Sequence, residues 1–344
     1  MRLRIRLRFE VNVIPKYDMK WLVKCERRGK SVQNSTDSIA LVICTRNRSN
    51  FMSGLLENLE SLTTVPDKIL IVDSSEDELT LQLITSSKFC VAKKVLYIKS
   101  APGLPHQRNE GIRTILSSND FSQVRIVSFT DDDCRLSKDY FEHLSTLLEA
   151  NLHFSAVTGV LVPFKRLEPS LLRRFFLLDS RSSGSVLKSG CTTPIQCLHG
   201  VCNVDWIPGG SMNIKRTALE YIEFDGQLRM YGEDLKMSLM LQKYGPLLAH
   251  ARMEYQHLEA TSGKDKLEDV ISFTDGIRWQ LSLEFPSQIQ RKQILWSIFG
   301  SVIANLIGSF KRKQQNQDSR AILLGHLSFL QRLVTGKPYV QKNS

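Results

Sequence analysis

Four short apolar runs recur between residues 39 and 130, and helical stretches separate them. Residues 39–44 (IALVIC), 68–72 (KILIV), 95–98 and 124–130 are rich in β-branched side chains and too short for core helices. Between them, residues 51–62, a segment near 76–87 and residues 104–116 read as helices. Strands alternating with helices predict an α/β fold with a mostly parallel sheet sandwiched by helices. Such sheets bind ligands beyond the carboxyl ends of their strands. Thr45, Arg46 and Asn47 follow the first run, Asp73 follows the second, and Asp131, Asp132 and Asp133 follow the fourth. A parallel sheet puts all of them on one edge.

The three adjacent aspartates repel one another unless something pairs them. No G-x-G-x-x-G follows the first strand and no G-x-x-x-x-G-K-[ST] occurs, so the usual phosphate cradles are absent. A divalent cation, Mn²⁺ or Mg²⁺, suits hard carboxylate oxygens and bridges to substrate phosphates. In extended backbone Asp131 and Asp133 face one side and Asp132 the other. The bland alternative is a solvated acidic loop before a helix whose N-cap would be Ser137.

The motifs IALVICTRNR, ILIVDSSED, PGLPHQRNEGI, VSFTDDDC, PGGSMNIKRTALE and FDGQLRMYGEDLKMSLMLQKYG occur in this order. Together they resemble the inverting glycosyltransferases of family 2, with the GT-A Rossmann-like fold. The resemblance spans roughly residues 38–257. It implies a catalytic domain there, after a basic segment at 1–37 and before a helical segment at 258–344. It further implies that Thr45 and Arg46 cup the nucleotide, that Asp73 meets the base, and that Arg108 and Asn109 flank the donor. Asp131 and Asp133 match the D-x-D pair, with Asp132 beside them at the donor. Gly209, Gly210 and Ser211 match the turn under the donor sugar. Asp234 matches the catalytic base, with Glu233 its neighbour, and His257 matches a histidine closing the metal site. The donor implied is a nucleotide-sugar, a UDP-sugar first, with GDP- and dTDP-sugars as alternatives. Where many relatives have two acids, this chain has Asp73 followed by Ser74, which leaves the base preference open.

Each motif alone has an ordinary reading. Glu233 and Asp234 could cap a helix, PGGS could be a plain turn, and Arg108 could be a surface ion-pair partner. Residues 164–178 carry apolar side chains at helical spacing, which suits a packed helix or a lid. The next loop, SRSSGSVLKSGCTTPIQ, reads as a mobile acceptor loop. No secretory signal is visible, so the seven cysteines are expected as reduced thiols in a cytoplasmic protein. Cys191, Cys197, His199 and Cys202 cluster without the spacing of structural zinc.

Residues 1–37 include RLRIRLRF, which alternates as a basic edge strand or arm would, and residues 30–38 read as a linker. Residues 294–310 carry no charge and have basic flanks, and Gly300, Ala304 and Gly308 form a small-residue stripe. They suit a helical appendage that packs on the catalytic domain, forms an oligomer, or touches a membrane peripherally. An apolar tail with basic flanks points to a glycan or lipid-linked acceptor, as in cell-surface polysaccharide synthesis.

The net charge of +11 also suits a nucleic-acid binder, but aromatic-and-basic RNA motifs are absent, so no nucleic-acid partner is expected. A nucleotidyltransferase making a nucleotide-sugar would want a glycine-rich loop after the first strand, and TRNRSN has none. A catalytically degenerate scaffold of the same fold is the remaining alternative, and the intact D-x-D and E-D pairs argue against it.

Overall fold

The computed structural model describes residues 39–66, 68–150, 152–163, 168–228, 232–258, 266–311 and 316–336. The alternating basic run and the linker before residue 39 lie outside the described residues. The first half shows the expected alternation: β1 (Ile39–Thr45), α1 (Ser49–Glu60), β2 (Lys68–Asp73), α2 (Leu79–Ser86), α3 (Lys88–Ala92), β3 (Leu96–Lys99), α4 (Leu104–Ser117) and β4 (Ile126–Asp131). These strands are parallel in the order β3-β2-β1-β4. The strand order reverses at β1, so a crevice opens beyond the carboxyl ends of β1 and β4.

Every residue of β1 is buried. Ile39, Leu41 and Ile43 join one core with Met52, Leu55 and Leu59 of α1. Ala40, Val42 and Cys44 join the opposite core with Ile112 and Ile115 of α4. Burial on both faces explains a run with no polar alternation. Each such aliphatic side chain contributes about 1.5–3 kcal/mol.

The second half comprises β5 (Cys134–Leu136), α5 (Tyr140–Glu149), β6 (Ala156–Leu161), α6 (Leu171–Phe175), β7 (Val201–Val204), β8 (Met212–Lys215), α7 (Arg216–Leu219), α8 (Glu233–Leu241) and β9 (Leu247–His257). β8 joins β4 and β6 antiparallel, β6 joins β9 parallel, and β5 and β7 pair antiparallel with β9. The aspartate run therefore does not lead straight into a helix. β9 captures the chain first, pairing Cys134 with His257 and Leu136 with Tyr255. The N-cap position falls to Asp139 rather than Ser137.

Three further expectations are corrected. In the span 164–178, residues 164–167 lie outside the described residues, and only Leu171–Phe175 is helical beyond them. Leu171 and Phe175, one turn apart on the same helix face, are both exposed. The loop after it is held by its own backbone: Gly184 N donates to Pro194 O, Leu187 N to Cys191 O and Asp205 N to Gly184 O. Its Ser189 and Thr193 are fully buried. Finally, Cys197 and Cys202 form a disulfide, since the turn at Gly200 brings their Cα atoms to 5.9 Å. The thiols are not all reduced.

The C-terminal segment is helical: α9 (Leu267–Glu284), α10 (Arg291–Lys311) and α11 (Asn316–Thr335). Leu281, Phe285, Ile289, Ile294, Ile298 and Phe329 share a buried cluster with Leu235 and Leu239 of α8. A buried polar set crosses the three helices. Arg278 donates to Asp275, to Ser297 Oγ (3.1 Å) and to Ser189 O (3.2 Å), and His326 Nδ1 lies 2.6 Å from Asp275. Gly300 of the small-residue stripe faces Phe176, not a helix: a Cβ there would stand 2.1 Å from the Phe176 side chain. Among the described residues no helix is long and apolar enough to cross a membrane.

Candidate active site

The carboxyl ends of β1, β2 and β4 gather most of the expected residues. From α4, Gln107 donates to Thr45 O (2.9 Å) and Val72 O (2.8 Å), tying the ends of β1 and β2 together. Thr45 Oγ1 then donates to Asp132 Oδ2 at 2.6 Å, and Arg48 Nη1 lies 3.3 Å from Asp132 Oδ1. Burial pushes the Asp132 carboxyl up to about 6 against the pull of Thr45 and Arg48. Asp132 thus turns toward β1.

Asp131 and Asp133 face another way. Asp131, Asp133, Cys134 and His257 each offer a ligand atom, all within 4.8 Å of one another. His257 Nε2 lies 3.1 Å from Asp133 Oδ1. The β5–β9 register makes this meeting obligatory, because His257 pairs with Cys134. Gly210 keeps the space beside them open: a Cβ there would stand 3.2 Å from Asp131 Oδ2 and 3.0 Å from Cys134 Sγ. Two carboxylates and an imidazole fit Mn²⁺ or Mg²⁺, the imidazole favouring the former. Burial raises the Cys134 thiol well above its ordinary value, so it is a neutral neighbour.

Arg108 joins this acidic group to a second one. It is buried, not a surface partner, with Nη2 3.2 Å from Asp131 Oδ1 and Nη1 3.3 Å from Glu233 Oε1. Its guanidinium lies over the Phe224 ring at 5.2 Å. Gly209 is the floor beneath it, since a Cβ there would stand 2.4 Å from Arg108 Nη2. Glu233 and Asp234 open α8, behind Gly232 in the left-handed region at φ 78°. Burial, then the Asp234 charge, pushes Glu233 up to about 7, with Arg108 pulling it back. Glu233 Oε2 is buried without a hydrogen-bond partner. Burial also raises Asp234, whose Oδ1 accepts from Leu235 N at 2.7 Å.

Other expected residues sit at the margin. Asp73 is fully buried; Ser75 N donates to its Oδ1 (2.7 Å) and Tyr97 Oη to its Oδ2 (2.9 Å). Arg46 stands at the exposed lip, 3.3 Å from Glu76. Both ends of the Asn109 amide bind the backbone of Phe224 at 2.8 Å. Ser211 is buried under the site, 2.6 Å from Tyr140 Oη. Sequence reasoning passed over Arg48, Tyr97 and Cys134. For Arg48 the signal was its place two residues after Arg46, across the turn at Asn47 (φ 54°).

Residues 40–202 match the model of glycosyl transferase family 2. Comparison with curated proteins gives no match. Two solved structures share the architecture. One is GalNAc-T7 with UDP, GalNAc and Mn²⁺: 13% identity, TM-score 0.54, covering 89% of this chain and 59% of that one. The other is the mannosyltransferase PcManGT from Pyrobaculum calidifontis with GDP-Man and Mn²⁺: 13% identity, TM-score 0.52, covering 90% and 93%. The chain thus spans 59% of the length of the first and nearly all of the second. At these identities the likeness is one of fold, while the family match covers β1 to β4 and the aspartate run. The chain carries a family 2-like glycosyltransferase domain of GT-A fold.

Proposed function

We propose that the chain transfers a sugar from a nucleoside-diphosphate sugar to an acceptor hydroxyl in one inverting displacement. The observation that carries this reading is the convergence of the Asp131–Asp133–His257 donor group and the Glu233–Asp234 pair on the two sides of buried Arg108. Asp131, Asp133 and His257 would hold Mn²⁺ or Mg²⁺, which when bound neutralises charge on the departing diphosphate. Arg48 adds a fixed positive charge beside Asp132 and Asp133.

Asp234 is the base. It is less enclosed than Glu233 and opens the helix, where an acceptor can reach it. The acceptor oxygen bonds to the anomeric carbon as the bond to the diphosphate oxygen breaks, and the acceptor proton passes to the Asp234 carboxylate. Glu233 stays fixed by Arg108 beside the base. The UDP and GDP-Man in the two similar structures support a nucleotide donor and leave uracil and guanine as the leading bases. The acceptor would be a glycan or a lipid-linked sugar.

The test is thermal shift with UDP, GDP, dTDP and CMP, with and without Mn²⁺, on wild type and Asp133→Ala. Stabilisation of wild type by one nucleotide only with metal, lost in the variant, supports the reading and names the base. No shift under any condition removes it in favour of a degenerate scaffold.

A further inference from the structure

The C-terminal helices leave a continuous apolar surface uncovered. On α10, Leu295, Trp296, Phe299, Leu306 and Ile307 are exposed. Their spacing puts them along one side of the helix, over about 18 Å at 1.5 Å per residue. The opposite side, Ile294 and Ile298, is buried in the cluster shared with α8. α6 extends the exposed side: Phe175 lies edge-on to Trp296 at 5.3 Å, Trp296 Nε1 donates to Phe175 O at 3.0 Å, and Leu171 is 78% exposed. Two distant segments are thus fastened together to present aromatic and aliphatic groups to the outside. Packing within the chain does not explain this, and large exposed apolar patches mark interaction sites.

Within α6 and α10 themselves the charges are of one sign. No Asp or Glu occurs between Glu284 and Asp318, whereas the exposed cations Arg291 and Lys292 open α10. No acid occurs between Glu168 and Asp179 either, while Arg173 and Arg174 lie on α6. An apolar, Trp- and Phe-bearing face whose own two helices carry cations and no acid is complementary to an anionic lipid surface. A second copy of this chain would bring its own cations against these. Since no helix among the described residues is suited to spanning, the face would lie in the interface plane.

We propose that the α6–α10 face docks on an anionic membrane surface. The base-bearing helix α8 shares its buried cluster with the inner side of α10, so one packed core joins the docking face to the helix of the site. The proposal does not depend on the transfer chemistry, and its test uses no nucleotide.

The experiment is co-sedimentation of the full chain with vesicles of phosphatidylcholine, with and without phosphatidylglycerol, at low and high salt. Wild type is expected to sediment with the anionic vesicles and less so at high salt. Phe175→Gln/Phe299→Gln/Leu306→Gln is expected to lower bound protein about tenfold or more. A circular-dichroism melt checks that this variant folds. Should it not fold, Arg173→Gln/Lys292→Gln, which changes two exposed cations, replaces it and should weaken binding several-fold. Absence of sedimentation with any vesicle overturns the proposal. So does binding that both variants leave unchanged, which would assign lipid contact to another part of the chain. So does a wild-type dimer in sedimentation velocity that the apolar variant dissolves without any vesicle binding.

Discussion

Arg108 and Glu233 form a buried ion pair across 125 residues of sequence, Nη1 to Oε1 at 3.3 Å, while the other arm of the same guanidinium holds Asp131 at 3.2 Å. Removing the arginine strands two carboxylates. Arg108→Met should lower unfolding free energy by about 3–5 kcal/mol, as loss of one partner in a buried pair does. Arg108→Lys keeps the charge but not the fork, and should recover part of the stability and little of the turnover. Urea unfolding without metal, together with transfer assays, separates the two.

Asp132 and Asp133 should fail differently. Asp133→Asn removes a donor from the Asp131–His257 group and should abolish Mn²⁺ binding. Asp132→Asn loosens the Thr45 and Arg48 contacts and should leave Mn²⁺ affinity within a few-fold while weakening nucleotide binding. Isothermal titration with Mn²⁺ alone and then with nucleotide distinguishes them; equal loss of metal in both would merge the two roles.

Gly209→Ala should cost about 1–3 kcal/mol and at least tenfold in turnover, because the methyl meets Arg108 at 2.4 Å and must push the guanidinium from both carboxylates. Gly226→Ala meets nothing within 4 Å and is the control. A neutral Gly209→Ala would show that Arg108 can shift without penalty.

His250 gives a pH signature away from the site. Burial, then the nearby positive charge of His143 and Arg252, drives it from 6.5 down to about 4, and its ring stacks on His143 at 5.1 Å. The unfolded chain therefore binds the proton more readily than the folded one between pH 4 and 6.5. Stability rises with pH across that window and is lost as pH falls through it, by an amount of order 2 kcal/mol. Chemical denaturation from about pH 4 to 7 should show the slope, and His250→Gln should flatten it.

The readable parts of this chain were those where one physical demand dominates. β1 is buried on both faces, so IALVIC had no competing pattern. The aspartate triplet declared a charge problem; its split into Asp131/Asp133 and Asp132 was expected from extended alternation, whereas the chain makes it with a turn at Asp132 and Asp133 between β4 and β5. The segment just after the triplet was not legible, because β5 exists only through its pairing with β9, roughly 120 residues away in the chain. Local propensity favoured a helix there, and a long-range partner overruled it. The Cys197–Cys202 link was hidden for a similar reason: a left-handed glycine at 200 folds the loop back. Arg108 was legible as a residue but not as a buried clamp, since Glu233 reaches it only in the folded chain.

Strand β9 carries a consequence for how this gene can change. Its first residues pair with β6 and β7, and its last, His257, pairs with Cys134. A side chain on a strand alternates face with every step. One codon inserted or deleted between Glu254 and His257, where the pairing with β5 is regular, would carry the imidazole to the opposite side of the sheet. Two codons would return it to the correct side but one pair out of step. The ladder with β6 already slips between Ala249 and Glu254, so a length change is tolerated there and is least tolerated from Glu254 to His257.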